Sequence, residues 1–499
     1  MAKKVDIIGA GIAGLSAGCY LQMNGYDTEI FEMHDKPGGL CTSWKRGDYT
    51  IDGCIHWLVG SGPDDVFYNL WSELIDMKAI RFVDHEEYIR VEDEGKNFIS
   101  VYTDIDRFEL ELLKKAPEDK DLIVEFMNAV RRFSRFDLPI EKAPETFNLW
   151  DTVRLIIKIL PYYKALKKWG GISLREYAEQ YKNPLLKKTL LCMFWPDIAT
   201  IFIIMSLVWM HRKSAGYPIG GSLRFARLLE EKYLKLGGRM HYRSRVDRII
   251  TSNDTAKGIV LEDGGSHAAD IVISAADGYI TIFKMLEGKY TDRKIMDYYD
   301  NYEVFPSYLQ VSFGIARSFK DEPHLSSLPL IRPLIIDDSI SHKNITVRIF
   351  NFDPTLSPEG KTLITVTLPT YNYGYWDNLR NREIDRYNKE KERIADEILE
   401  ALDKRYGDVR SHVEMIDVST PSTVMRFTNN WKGSFEGWVL SPKIGFKSME
   451  KRLPGLRNFY MAGQWVEPGG GLPTAILSGR NVSQIICKDD GKKFYVKQI

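Results

Sequence analysis

The sequence of 499 residues predicts an α/β protein in which one discontinuous domain carries an inserted α+β domain. The chain opens with a strand, a glycine-rich turn, a helix and a second strand, a pattern typical of a parallel sheet. A strand, a glycine-rich turn and a helix return over residues 458–487. Because the chain exceeds the usual size of one hydrophobic core, we expect at least two domains.

The first glycine-rich turn joins the strand of residues 5–8 to a helix over residues 15–24. It consists of Gly9, Ala10, Gly11, Ile12, Ala13 and Gly14. Glycines let the backbone turn tightly and approach a pyrophosphate at the helix N-terminus. Glu32 ends the second strand, where an acid accepts hydrogen bonds from a ribose and disfavours a 2′-phosphate. We therefore predict a Rossmann-type dinucleotide site, in preference to a glycine-rich turn without a ligand.

Two further segments favour FAD over NAD. Residues 37–41 and 52–60 resemble the region in which flavin amine oxidases and phytoene desaturases pass the backbone along the flavin. Residues 460–464 and 468–480 resemble the second FAD segment of the same families, in which a helix N-terminus stabilises the reduced ring. Besides the first turn and Glu32, the resemblance implies FAD contacts at Gly38, Gly39, Leu40, Cys41, His56, Val246, Gly463, Gln464, Gly471, Leu472 and Thr474.

The resemblance narrows to the family of phytoene desaturases, carotenoid isomerases and retinol saturases. It extends to residues 217–222, 274–277, 420–423 and 433–437. Membership implies FAD and a long apolar, isoprenoid or carotenoid-like substrate. It leaves the reaction open among desaturation, saturation and cis-trans isomerisation of a carbon-carbon bond.

Two other functions remain as alternatives. One is a flavin amine oxidase, although Gln464 stands where many amine oxidases have an acid. The other is a prenyl-lipid escort protein on the same fold, which needs no flavin. The presence of both FAD segments argues against the escort protein.

The pattern changes along the chain predict the domain boundaries. Short strands with turn residues between them return at residues 246–274, strand-like alternation at 306–316 and 362–368, and an amphipathic helix at 387–406. The expected fold is a Rossmann-type two-dinucleotide-binding-domain FAD fold with an inserted α+β substrate domain. The FAD domain is assigned to residues 1–75, 213–290 and 411–499, and the substrate domain to residues 76–212 and 291–410.

Composition limits the partners. Lysine plus arginine and aspartate plus glutamate both number 68, so no net charge favours nucleic acid. The five cysteines are scattered without metal-ligand spacing, which indicates neither a disulfide framework nor a metal site. Because the N-terminus continues directly into a strand, we expect a cytoplasmic protein.

Two segments concern contact with lipid. Residues 190–210 carry one formal charge, Asp197, but Pro196 interrupts them, so we favour a helix lining an apolar channel over a membrane span. Ordinary core is the plainer alternative. Residues 154–169 combine apolar and basic residues at helical spacing, which suits either peripheral contact with an anionic membrane or a solvated helix packed on its own domain.

The catalytic assignment rests on the flavin. His56 is a candidate to touch the substrate or orient the ring, with a packed core histidine as the equal alternative. Only one complete dinucleotide fingerprint is present, so the flavin must exchange electrons with oxygen, a quinone or a diffusing donor. We expect no single titratable side chain to be indispensable.

Overall fold

The computed structural model describes residues 2–445 and 449–497. The strands are β1 (Lys4–Ile8), β2 (Asp27–Phe31), β3 (Ser43–Arg46), β4 (Tyr49–Asp52), β5 (Leu58–Val59), β6 (Phe82–Val83), β7 (Glu87–Glu92), β8 (Phe98–Tyr102), β9 (Ala215–Pro218), β10 (Arg239–His241), β11 (Val246–Ser252), β12 (Thr255–Leu261), β13 (Ser266–Ala268), β14 (Ile271–Ser274), β15 (Ser307–Ile315), β16 (Leu325–Ile335), β17 (Ser341–Ile349), β18 (Thr362–Thr370), β19 (Val413–Ser419) and β20 (Phe459–Met461).

The helices connect and cover these strands. They are α1 (Ile12–Met23), α2 (Val66–Ser72), α3 (Ile105–Lys115), α4 (Lys120–Phe133), α5 (Leu149–Ile159), α6 (Tyr163–Gly170), α7 (Leu174–Ala178), α8 (Pro184–Met193), α9 (Thr200–His211), α10 (Gly221–Lys235), α11 (Arg293–Asn301), α12 (Tyr373–Arg382), α13 (Ile384–Tyr406), α14 (Pro421–Thr428) and α15 (Gly471–Asp489). A π-helical turn occupies Ile280–Met285.

A five-stranded parallel sheet forms the first domain, in the order β10-β2-β1-β14-β20. Its central strands β1 and β14 are buried almost throughout, as expected for a parallel sheet covered on both faces. Helix α1 packs against α15, and a side chain at Gly479 would place its Cβ 2.5 Å from the Ala13 carbonyl oxygen. The first and last segments of the chain are thus held together by a helix contact that only glycine allows. This sheet confirms the predicted α/β FAD fold.

The second domain is built on a seven-stranded sheet in the order β19-β15-β18-β17-β16-β7-β8. One face of this sheet packs with α12 and α13 around a core that includes Val311, Val347 and Val366. Since side chains alternate across a strand, the residues between these positions point to the opposite face. Residues of that opposite face, such as Thr365 and Thr367, line a cavity between the domains.

The strands of the two sheets can be placed against the predicted segments of the chain. All five strands of the parallel sheet fall inside the segments assigned to the FAD domain. Strand β19, however, lies beyond 411 and pairs antiparallel with β15, so it belongs to the seven-stranded sheet. Long-range pairing, which a local pattern does not encode, therefore places this strand in the inserted domain.

A helical layer, α3 to α9, completes the second domain. Helix α9 is buried along nearly its whole length, and Ile201, Phe202 and Met205 line the cavity. Over the described residues, no helix has both the length and the apolar character needed to cross a membrane. Helix α5 is different, because every one of its residues is exposed or half-buried.

Candidate active site

The first glycine turn leaves an open cradle at the start of α1. Gly9 adopts a φ of +96° and donates its N–H to the Phe31 carbonyl at 2.8 Å. Gly11 forms the N-cap of α1, and a Cβ added there would have no atom within 4 Å. A Cβ at Gly14 would instead overlap the backbone oxygen of Gly9. The space at Gly11, facing a helix N-terminus, fits a pyrophosphate.

Glu32 lies beside this cradle. Its carboxylate oxygens accept hydrogen bonds of 2.8 Å from the N–H groups of Ala10 and His34, and burial raises its pKa. The Glu32 carbonyl accepts from the N–H of Ser244 at 2.8 Å, two residues before Val246 begins β11. The predicted ribose contact Glu32 and the predicted FAD contact Val246 are therefore neighbours at one end of the parallel sheet.

A second glycine pair packs onto the first turn. The Gly38 N–H donates to the Ala10 carbonyl at 2.9 Å, and a Cβ at Gly39 would lie 3.6 Å from the Gly11 Cα. The Cys41 thiol donates to the Ser222 carbonyl at 3.3 Å, which ties the following residues to the start of α10. Leu40, between these anchors, lines the cavity.

The C-terminal segment meets the same site from the other side. The Gly463 N–H donates to the Ser478 hydroxyl at 2.7 Å, and a Cβ there would lie 3.7 Å from that of Ala13. Gln464 packs against Gly437. The remaining predicted contacts here, Gly471, Leu472 and Thr474, lie in the first turn of α15 and line the cavity. The structure thus brings together both predicted FAD segments.

The segment of residues 52–57 is held between these parts by the motif at residues 217–222. The Asp52 carboxylate accepts from the Tyr217 hydroxyl at 3.0 Å and from the Ser222 N–H at 3.2 Å. The Ser222 hydroxyl in turn accepts from the Ile55 N–H at 2.8 Å. These bonds orient the chain immediately before His56 toward the cavity.

A cavity of about 660 Å³ extends from the glycine segments into the second domain. One wall is apolar and aromatic, and comprises Phe194, Ile201, Phe202, Met205, Trp209 and Leu440. At its other end it reaches residues 468–474 and Leu40. A long apolar molecule in this cavity would touch the segments that we assign to the flavin.

His56 projects into this cavity. Its ring is exposed to the cavity space, while protein atoms surround it on the remaining sides. Burial and the nearby positive charge of Arg348 lower the His56 pKa well below its usual value. The imidazole is therefore neutral at physiological pH.

Sequence reasoning missed two ionisable side chains of the cavity wall. Burial raises the pKa of Glu436 to about 8, and its Oε2 atom has no hydrogen-bond partner among the described residues. Arg348 is 6% exposed, and burial lowers its pKa to about 10. Two features of the sequence mark these residues. Glu436 belongs to the family motif of residues 433–437, and Arg348 is a charged residue between Val347 and Ile349 in a strand pattern.

The fold and the paired glycine segments define the class of flavin-dependent oxidoreductases. Residues 12–487 match the family described as flavin containing amine oxidoreductases, and the chain belongs to that family. Its cofactor is FAD, and it is an FAD-dependent oxidoreductase.

Among curated proteins, the chain is similar to carotenoid enzymes. It is 25% identical over 505 residues to the chloroplastic prolycopene isomerase 1 of an Oncidium hybrid cultivar, covering 97% of this chain and 84% of that one. It is also 25% identical to a 4,4′-diapophytoene desaturase (4,4′-diapolycopene-forming) of Methylomonas sp, covering 99% and 96%. These relatives bear out the resemblance to the desaturase and isomerase family.

Solved structures support the fold. An oxidoreductase from Methanosarcina mazei aligns with a TM-score of 0.60 at 17% identity, covering 96% of this chain and 100% of that one. A redesigned putrescine oxidase aligns with a TM-score of 0.62 at 14% identity, covering 98% and 99%. At such identities the likeness concerns the fold alone.

Proposed function

We propose that this enzyme desaturates, saturates or isomerises carbon-carbon bonds of a long apolar, carotenoid-like isoprenoid. The observation that carries the proposal is the cavity, whose apolar wall continues to the N-terminus of α15 in the flavin segment. Two curated relatives, named as a prolycopene isomerase and a 4,4′-diapophytoene desaturase, support the same substrate class. A dry apolar channel holds such a chain by shape and burial.

Bound FAD supplies the hydride acceptor or donor for this chemistry. The protein's own residues exclude water and fix the substrate against the flavin segment. Glu436 is the group that we assign to hold and move a proton, because a pKa of about 8 leaves its carboxyl protonated near neutral pH. The lowered pKa of His56 makes its imidazole a weak proton acceptor, so we assign it to positioning.

An alkylammonium substrate suits this cavity less well. The guanidinium of Arg348 faces the cavity and would repel a second cation in a medium of low dielectric constant. The amine oxidase alternative therefore ranks below the polyene substrate.

We also propose that α5 and α6 form a membrane-facing surface that gives access to a lipid-dissolved substrate. Leu149 and Trp150 are 86% and 74% exposed, and Ile156, Ile157 and Leu160 extend this apolar face. Basic residues flank it, namely Arg154, Lys158, Lys164, Lys167 and Lys168. Such a face suits the interface of an anionic bilayer.

One experiment tests the reaction class. FAD-loaded protein is incubated under argon with acyclic carotenoids in detergent, with and without a quinone, and the products are separated by chromatography. We expect a change in the number or geometry of the double bonds. Unchanged carotenoids, together with hydrogen peroxide release on addition of amines in air, would support an amine oxidase instead. A protein that purifies without flavin would support the escort alternative.

A further inference from the structure

Arg348 is a buried cation without an anionic partner. It lies on β17, lines the cavity and is 6% exposed. Within residues 2–445 and 449–497, its guanidinium makes no hydrogen bond or ion pair. Its pKa, lowered to about 10 by burial, still keeps it protonated at neutral pH. A buried charge in this state is costly unless a partner arrives.

The groups around Arg348 do not neutralise it. Its positive charge lowers the pKa of His56, His85 and His324, which burial also keeps neutral. Asp52 is an acid whose charge acts on Arg348, but its carboxylate makes no ion pair with the guanidinium within residues 2–445 and 449–497 and already accepts from Tyr217 and Ser222.

The phenols near Arg348 also remain neutral. Burial raises the pKa of both Tyr88 and Tyr217, and the Tyr88 hydroxyl donates to the Met193 carbonyl at 2.6 Å. The guanidinium therefore retains its charge and its donors for a molecule in the cavity.

Neighbouring strands add polar groups on the same sheet face. Arg348 lies opposite Thr365, and Thr346 lies opposite Thr367 in the pairing of β17 with β18. Thr367 lies opposite Gln310 in the pairing of β15 with β18. All five side chains line the cavity. This polar patch contrasts with the apolar wall formed by α9.

We propose that Arg348 and this patch bind a carboxylate carried by the apolar substrate, so that the substrate is an isoprenoid or similar acid. The inference rests on the proposed function, because it concerns the same cavity. A guanidinium binds a carboxylate through two parallel hydrogen bonds, whereas a pure hydrocarbon would leave the buried charge unpaired.

A monoanion matches the charge of this site better than a diphosphate does. Arg348 supplies one positive charge. Lys142, another cation of the cavity wall, is paired with Asp151. A diphosphate carries several negative charges that this wall does not balance.

The test compares palmitate with methyl palmitate on FAD-loaded protein, with binding followed by the flavin absorbance spectrum and by calorimetry. We expect palmitate to bind roughly 10- to 100-fold more tightly, the scale of hydrogen bonds to a charged group. Arg348→Met should abolish the preference, and Arg348→Lys should retain part of it. Arg332→Met, which changes an exposed arginine of β16 in the same sheet, should leave the preference intact.

Equal binding of acid and ester by the wild-type protein overturns the inference, and this comparison needs no variant. The inference also fails if Arg348→Met still binds palmitate more tightly than methyl palmitate. If the wild-type protein shows no such preference and Arg348→Met shifts the flavin reduction potential, Arg348 serves the flavin and not a substrate carboxylate. These outcomes are separate from failure of the proposed function. The proposed function fails if the wild-type protein converts neither acidic nor neutral polyenes.

Discussion

Glu436 packs directly on Gly470, since a methyl group at Gly470 would lie 2.8 Å from the carboxyl carbon of Glu436. Gly470 adopts a φ of +65° and forms the N-cap of α15. The carboxyl group is therefore fixed at the entrance of the C-terminal flavin segment. Its protonation matters for both stability and turnover.

Glu436 should make stability depend on pH. Burial raises its folded-state pKa from 4.5 to about 8, so between these values the unfolded chain releases a proton that the folded protein retains. The free energy of unfolding contributed by Glu436 is therefore full below pH 4.5 and decreases as pH rises toward about 8. Urea unfolding across this range should show a shallower decrease for Glu436→Gln than for wild type. Glu359→Gln, at an exposed site, should match wild type.

Turnover should separate Glu436 from His56. Glu436→Gln should lower the rate roughly 10²- to 10⁴-fold with FAD content intact, the range of general acid-base catalysis. This assignment departs from the expectation, drawn from the sequence, that no single titratable side chain is indispensable. His56→Ala should cause a modest fall and leave the pH profile of flavin reduction unchanged. If the large loss appears at His56 instead, His56 is the proton carrier and our assignment is reversed.

Gly11→Val should abolish FAD binding. The added side chain fits the protein, because a Cβ there meets no atom within 4 Å, but it fills the space that we assign to the pyrophosphate. Gly374→Val is the matched control, since Gly374 in α12 also has no atom within 4 Å of an added Cβ. Flavin absorbance of the purified proteins is the measurement. Full flavin content in Gly11→Val would refute the assignment.

Glu32→Ala should weaken FAD binding by about 1.5–3 kcal/mol, the scale of hydrogen bonds to a charged group. Part of this loss comes from the turn itself, because Glu32 also accepts from Ala10 and His34. Calorimetric titration of FAD-free protein gives the dissociation constant. Glu359→Ala should leave it unchanged, and an unchanged constant in Glu32→Ala would remove the ribose role.

Replacing Lys164, Lys167 and Lys168 with glutamate should reduce sedimentation with anionic vesicles. Each basic group near such a surface contributes about 1 kcal/mol, and high salt should mimic the loss. Trp150→Ser should weaken binding to neutral vesicles as well, because its exposed ring is apolar. Equal binding of the wild type to neutral and anionic vesicles would eliminate the electrostatic contribution.

Local pattern determined much of this protein. The strand before Gly9, the acid at Glu32 and the helix from Ile384 to Tyr406 follow from short-range hydrophobic spacing and turn chemistry, and the structure places each close to its predicted position. The family resemblance predicts that the first and last segments of the chain meet at the flavin, and the close contact of Gly479 with Ala13 explains how they do so.

The tertiary structure alone decided three features. Strand β19 joins the seven-stranded sheet because it pairs with β15, about a hundred residues earlier in the chain. Glu436 and Arg348 enter one cavity because distant elements bury them there, and that burial shifts their pKa values. The apolar face of α5 is exposed because its own domain does not cover it. Sequence periodicity determines which residues share a face of a helix or strand. Only long-range packing determines whether that face contacts the protein core, a cavity or solvent.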